Sequence, residues 1–252
     1  MSSTKPLDRA TKVRSRKITR GKIPTNPALA LWHTTIGKKI VMAVTGAVLV
    51  LFVIAHMLGN LKIFLGPEQI NAYSRFLRDV GQPELERGQL LWIVRIVLLI
   101  CAILHIVAAY QLTRISHAAR PASYAHRKNV ETTLAARLMR WGGVLLAIFI
   151  VFHILHFTLG AVGFNPGQFQ DLAVYQNVVA GFRVWPISLF YIVAMGALCL
   201  HLDHGVWSMT QTLGWATTEN TKSLRTISRV LAIVVFLGFI AVPISVMAGW
   251  VR

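Results

Sequence analysis

The sequence predicts an all-α membrane protein, a bundle of five transmembrane helices. Three observations lead there. Five apolar runs each exceed the roughly 20 residues that cross a bilayer. Only 14% of residues are charged, where soluble domains carry about 25%. The charges collect in the short segments between the runs, which is the layout of a polytopic chain.

The runs are expected as helices over Lys39–Phe64, Leu90–Thr113, Met139–Val162, Pro186–Met209 and Ile227–Trp250. Residues 1–38 form a basic N-terminal arm ahead of the membrane domain, 39–252. The arm's first 30 residues have little to bury and are expected to be flexible. No cleavable signal is expected, because no apolar stretch precedes Ile40. Between the first two runs, Ile70, Tyr73, Leu77 and Val80 recur at helical spacing. A short surface helix over Glu68–Val80 is expected there, and a less clear one over Gln168–Gly181.

Nineteen of the 26 Lys and Arg fall before the first helix, between the second and third, or between the fourth and fifth. That bias places the N-terminus in the cytoplasm and the C-terminus outside. The net charge of +17 thus reports topology next to membrane lipid, not a nucleic-acid surface. Cys101 and Cys199 lie inside apolar runs, and no CxxC or CxxCH occurs. The chain therefore lacks the signatures of an iron–sulfur cluster or covalent haem.

Histidine carries the chemistry. His56, His105, His153 and His201 stand one on each of the first four runs, with His156 one turn beyond His153. An ionisable side chain at membrane depth is costly and marks a functional site by default. Helical rise converts position into depth. His56 and His153 lie about 24 and 20 Å from the cytoplasmic surface, and His105 and His201 about 8 Å from it. Two pairs at two depths result, an outer pair of His56 and His153 and an inner pair of His105 and His201, separated by roughly 15 Å. Two axial histidines on facing helices are how a bundle holds a b-type haem. Thr45 and Gly142 each lie 11 residues before a histidine and would give an inner haem room.

Other candidates surround the pairs. His156 competes with His153 as ligand, and would otherwise lie near the outer haem edge or a quinone. Arg95 is a candidate partner for a haem propionate, or a snorkelling cation. Glu68 and Tyr73 are candidate quinone contacts on the surface helix, and His204 beside Asp203 offers a cytoplasmic alternative. Glu68 there would relay protons to the reduced quinone.

The stretches GKKIVMAVTG (37–46), HMLGN (56–60), GPEQINAYSRFLRD (66–79), the LH at 104–105, RWGGVLLAIFIVFH (140–153) and HLDHGVW (201–207) carry a resemblance. Together they are similar to the cytochrome b subunit of succinate dehydrogenase and fumarate reductase, in its single-subunit, five-helix, di-haem form (the cytochrome b558 family). The resemblance covers about residues 32–250. It implies His56, His105, His153 and His201 as axial ligands of two haem b, the first helix paired with the third and the second with the fourth. It also implies a flavoprotein (FAD) subunit and an iron–sulfur subunit on the cytoplasmic face of a bacterial inner membrane, and menaquinone as the electron acceptor. This chain would then be a non-catalytic partner in succinate oxidation. Some members carry a glutamate two residues before the fourth ligand; here that position is Cys199, which is not acidic in apolar surroundings. Two alternatives stay open: a di-haem subunit of another quinone-linked oxidoreductase, and a transporter whose histidines relay protons.

Overall fold

The computed structural model describes residues 26–119 and 134–252. The expected flexibility of the N-terminal arm therefore falls mostly outside the described residues. Among those described, five helices are long and apolar enough to cross a membrane, and the protein is an all-α membrane bundle.

The chain begins with α1, Pro27–His33, and α2, Thr35–Asn60. Helix thus begins within the last residues of the expected arm, 1–38. Pro27 opens α1 at a position where its missing N–H costs nothing. Thr34 caps α2, its hydroxyl accepting the Gly37 N–H at 2.8 Å. Gly37 is required here, since a Cβ would meet the Leu31 backbone carbonyl. Lys38 is buried, its Nζ donating to the Trp32 carbonyl.

A short 3₁₀ turn, Leu61–Leu65, leads into α3, Pro67–Asp79. The second span is α4, Gln89–Ala118, and the third is α5, Leu134–His153, extended by a π-turn over Ile154–Thr158. Next come α6, Val174–Phe182, then the spans α7, Trp185–Thr212, and α8, Thr221–Met247. All five spans overlap their expected positions, with ends shifted by up to about two turns. The surface helix is α3, within one residue of expectation; only the second half of the Gln168–Gly181 segment is helical, as α6.

α2 packs against α4, α7 and α8, α5 packs against α7, and α7 against α8. A central apolar cluster holds Met57, Leu202, Ala232 and Val235. A larger cluster forms where α3 and α6 close one end, and includes Ile63, Ile70, Phe149, Phe182, Tyr191 and Val246. Most large apolar side chains elsewhere on the spans are exposed, as on a surface whose solvent is lipid. The end of the bundle where α2 begins is called the N-side below.

Candidate functional site

The helices bring the four histidines together in two pairs. The His56 and His153 rings lie 5.8 Å apart between centroids, with planes at 80°. The His105 and His201 rings lie 6.2 Å apart, with planes at 55°. With a metal–imidazole bond of about 2.0–2.1 Å and the ring centre about 1.1 Å beyond the nitrogen, two rings trans on one iron have centroids about 6.3 Å apart. Both pairs fit that span. Aromatic rings in ordinary contact share the range, so helix spacing is the second test. α2 and α5 are not among the closely packed helix pairs, and neither are α4 and α7. Each histidine pair thus joins two helices whose backbones do not pack closely on each other.

The near pair, His105 and His201, lies towards the N-side. Nδ1 of His105 is 3.1 Å from the Met42 carbonyl and 3.5 Å from the Thr45 hydroxyl, both on α2. A neutral His105 that donates from Nδ1 leaves Nε2 as a free lone pair, the arrangement usual for a metal-binding imidazole. Glycine clears the way. A Cβ on Gly46 would stand 3.2 Å from Cε1 of His105, tighter than side chains normally pack. Gly143 stands beside His201, where a Cβ would meet Cε1 at an ordinary 3.7 Å. Nδ1 of His201 is buried with no protein partner.

The far pair, His56 and His153, sits in an aromatic shell. Phe52 stacks on His56 with centroids 5.3 Å apart, and Phe149 on His153 at 5.7 Å. Nδ1 of His153 is 3.2 Å from the Tyr191 hydroxyl. The rival His156 is fully buried and turned elsewhere. Its Nε2 faces Gly163 and Gly181, where a Cβ on either would come within 2.8 Å. It is His153, not His156, whose ring opposes His56.

The other candidates are dispersed. Thr45 is buried beside His105, as the near layer requires. Gly142 meets only the Ala197 carbonyl, at 3.9 Å from a would-be Cβ, and its neighbour Gly143 takes the expected place. The register of α4 puts Arg95 about 15 Å from His105, at the far pair's level. Its exposed guanidinium lies 5.0 Å from the Trp92 ring centre, and with Arg78 and Arg87 it lines a cleft of about 300 Å³.

Glu68 and Tyr73 do not line one pocket. Five residues on a helix are about 140° apart around its axis. Glu68 lies exposed in a cleft of about 570 Å³ with Asn71, Arg75 and Gln176. Tyr73 turns to α2, where a Cβ on Gly59 would meet its ring at 2.7 Å, and Lys62 lies 5.3 Å from the Tyr73 ring centre. His204 sits at the N-side end of α7, its Nδ1 buried without a protein partner. Beside it, Asp203 is 3.8 Å from Arg229.

Sequence reasoning missed Tyr191, Gly46, Gly143 and the Met42 carbonyl. The glycines were visible as small residues near the right depth, but nothing local marks the hydroxyl or the carbonyl. Comparison with protein-family models, curated proteins and solved structures finds no match to this chain.

Proposed function

We propose that this chain is the membrane-anchor cytochrome b subunit of a succinate:quinone oxidoreductase. In this reading it carries electrons from an iron–sulfur subunit through two b haems to a quinone, menaquinone by the resemblance described above. The observation that carries it is the pair of histidine couples, each joining two helices that do not pack closely, at a ring separation that one shared iron would suit. The motif resemblance favours succinate dehydrogenase over other quinone-linked oxidoreductases.

His105 and His201 would hold one haem, and His56 and His153 the other. When bound, each haem supplies a one-electron carrier whose iron cycles between ferric and ferrous. The chain's own residues orient and insulate. Met42 and Thr45 hold the His105 ring so that one nitrogen stays free. Phe52, Phe149 and Phe239 surround the far rings with apolar matter, which keeps water from the site.

The positive-inside distribution supports a cytoplasmic N-side in a bacterial inner membrane. A flavoprotein and its iron–sulfur partner would dock on that face. The basic arm and the segment 114–140 there would speed encounter with an acidic surface. The test is a reduced-minus-oxidised spectrum of the purified protein with identification of its co-purifying chains. Haem b bands with a flavoprotein and an iron–sulfur protein are expected. A spectrum without haem bands would return the histidines to a proton-relay role, and haem with different partners would point to another quinone-linked enzyme.

A further inference from the structure

His156 is a fully buried, ionisable side chain that the proposed haem pairs leave without a role. It follows His153 by three residues on the π-turn. There Leu159 N–H reaches back to the Ile154 carbonyl at 3.0 Å and Ala161 N–H to that of Leu155 at 2.8 Å. Such widened turns recur at functional sites. This one points Nδ1 of both histidines at a single atom. The Tyr191 hydroxyl is 3.2 Å from Nδ1 of His153 and 3.0 Å from Nδ1 of His156.

Tyr191 cannot move aside easily. It is 6% exposed and sits edge-on between Phe149, centroids 5.0 Å apart, and Phe182, 4.9 Å apart. It comes from α7, ten residues before His201, so about 15 Å along the helix that also supplies the near pair.

One hydroxyl carries one hydrogen, and two neutral imidazoles flank it. Two arrangements satisfy the contacts at the hydroxyl, and in both Nε2 of His156 stays buried without a protein partner. In the first, His153 donates from Nδ1 to the phenol oxygen, and the phenol donates to Nδ1 of His156. His153 then keeps a free Nε2 lone pair, and His156 carries its hydrogen on Nε2. In the second, every bond reverses, and His153 carries its hydrogen on Nε2 and cannot bind iron there.

We infer that Tyr191 is a positioning residue for the far pair, accepting from His153 and donating to His156, and that His156 holds the phenol hydrogen away from His153. The inference rests on the haem reading above, since only a bound iron requires the first arrangement. His156 is suited to this task. Its ring is clamped by Phe157, centroids 4.0 Å apart, and Phe164, 4.8 Å apart, and only glycine at 163 and 181 leaves room for it there.

The test uses Tyr191→Phe, His156→Gln and His156→Leu in the assembled complex, with redox titration of both haems. His56→Ala and His201→Ala assign the two potentials. Tyr191→Phe removes the acceptor, so His153 becomes a weaker donor and ferric iron loses stabilisation. The far haem potential should rise by about 59 mV, a tenfold change in the ferric-to-ferrous affinity ratio, within the 10- to 100-fold range of such outer partners. The near haem should not move. His156→Leu frees the phenol hydrogen to turn to His153, and far-haem content should fall severalfold. His156→Gln offers a carbonyl acceptor and should restore it. An unmoved far potential in Tyr191→Phe, or equal losses in the two His156 variants, overturns the inference and leaves the haem reading standing. Loss of both haems together in Tyr191→Phe shows a purely structural residue and overturns it too. A wild-type complex without haem overturns both.

Discussion

The near histidine pair comes from α4 and α7 and the far pair from α2 and α5, and one is oriented by backbone and the other by a side chain. In the near pair, His105 meets the Met42 carbonyl at 3.1 Å, and Gly46 opens the approach. In the far pair, His153 meets the Tyr191 hydroxyl at 3.2 Å, and that hydroxyl is shared with His156. A carbonyl has only acceptor sites, so it dictates the tautomer of His105 without help. A hydroxyl both donates and accepts, so the tautomer of His153 depends on a third residue. α2 and α7 work in both layers. α2 provides His56 to the far pair and the Met42 carbonyl to the near one; α7 provides His201 to the near pair and Tyr191 to the far one.

The largest effects are expected from the four proposed ligands themselves. His105→Ala or His201→Ala is expected to leave one haem per chain and to stop succinate from reducing it, because the proposed electron entry is on the N-side. His56→Ala or His153→Ala is expected to leave one haem that succinate still reduces. Haem content and low-temperature spectra of the four variants check this. Identical behaviour of the two groups would remove the distinction between layers.

Space is the next lever, and it acts on the near pair. Gly46→Val should lower near-haem content at least tenfold, since even its Cβ would press on His105 at 3.2 Å. Gly143→Ala adds a Cβ at an ordinary 3.7 Å from His201 and should retain the haem. Both are read from haem content, with the far haem as internal reference. Equal retention would mean that His105 has freedom to withdraw.

The smallest effect sharpens the contrast between carbonyl and hydroxyl. Thr45→Val keeps the shape and removes a contact of 3.5 Å, while the Met42 carbonyl remains. The near haem should be held within about 1 kcal/mol, roughly fivefold in affinity. Tyr191→Phe in the far layer should exceed it in potential shift.

The bundle and the depth of each histidine were legible, because a rise of 1.5 Å per residue converts sequence position into height. The same arithmetic sets Glu68 and Tyr73 about 140° apart on α3, which the expectation of one shared quinone site overlooked. Helix α1 was signalled by Pro27 just after Asn26, a start signal passed over when residues 1–38 were read as one arm. The orienting groups were not legible. Tyr191 lies 35 residues from His156, and only the packing of α5 on α7 joins them. The Met42 carbonyl belongs to a helix interior, where no side chain marks which oxygen a neighbour will meet. Gly143, not Gly142, stands beside His201, one residue on from the position that the helical period of α5 picks out.

The most direct measurement is the ratio of haem b to this polypeptide in the purified wild-type complex, taken from the haem spectrum and quantitative amino-acid analysis. Under the proposed reading, the two couples, with centroids 5.8 and 6.2 Å apart, predict two haems per chain, both low-spin with two histidine ligands. One haem per chain would contradict the two-layer arrangement, and none would contradict the assignment of these histidines to iron.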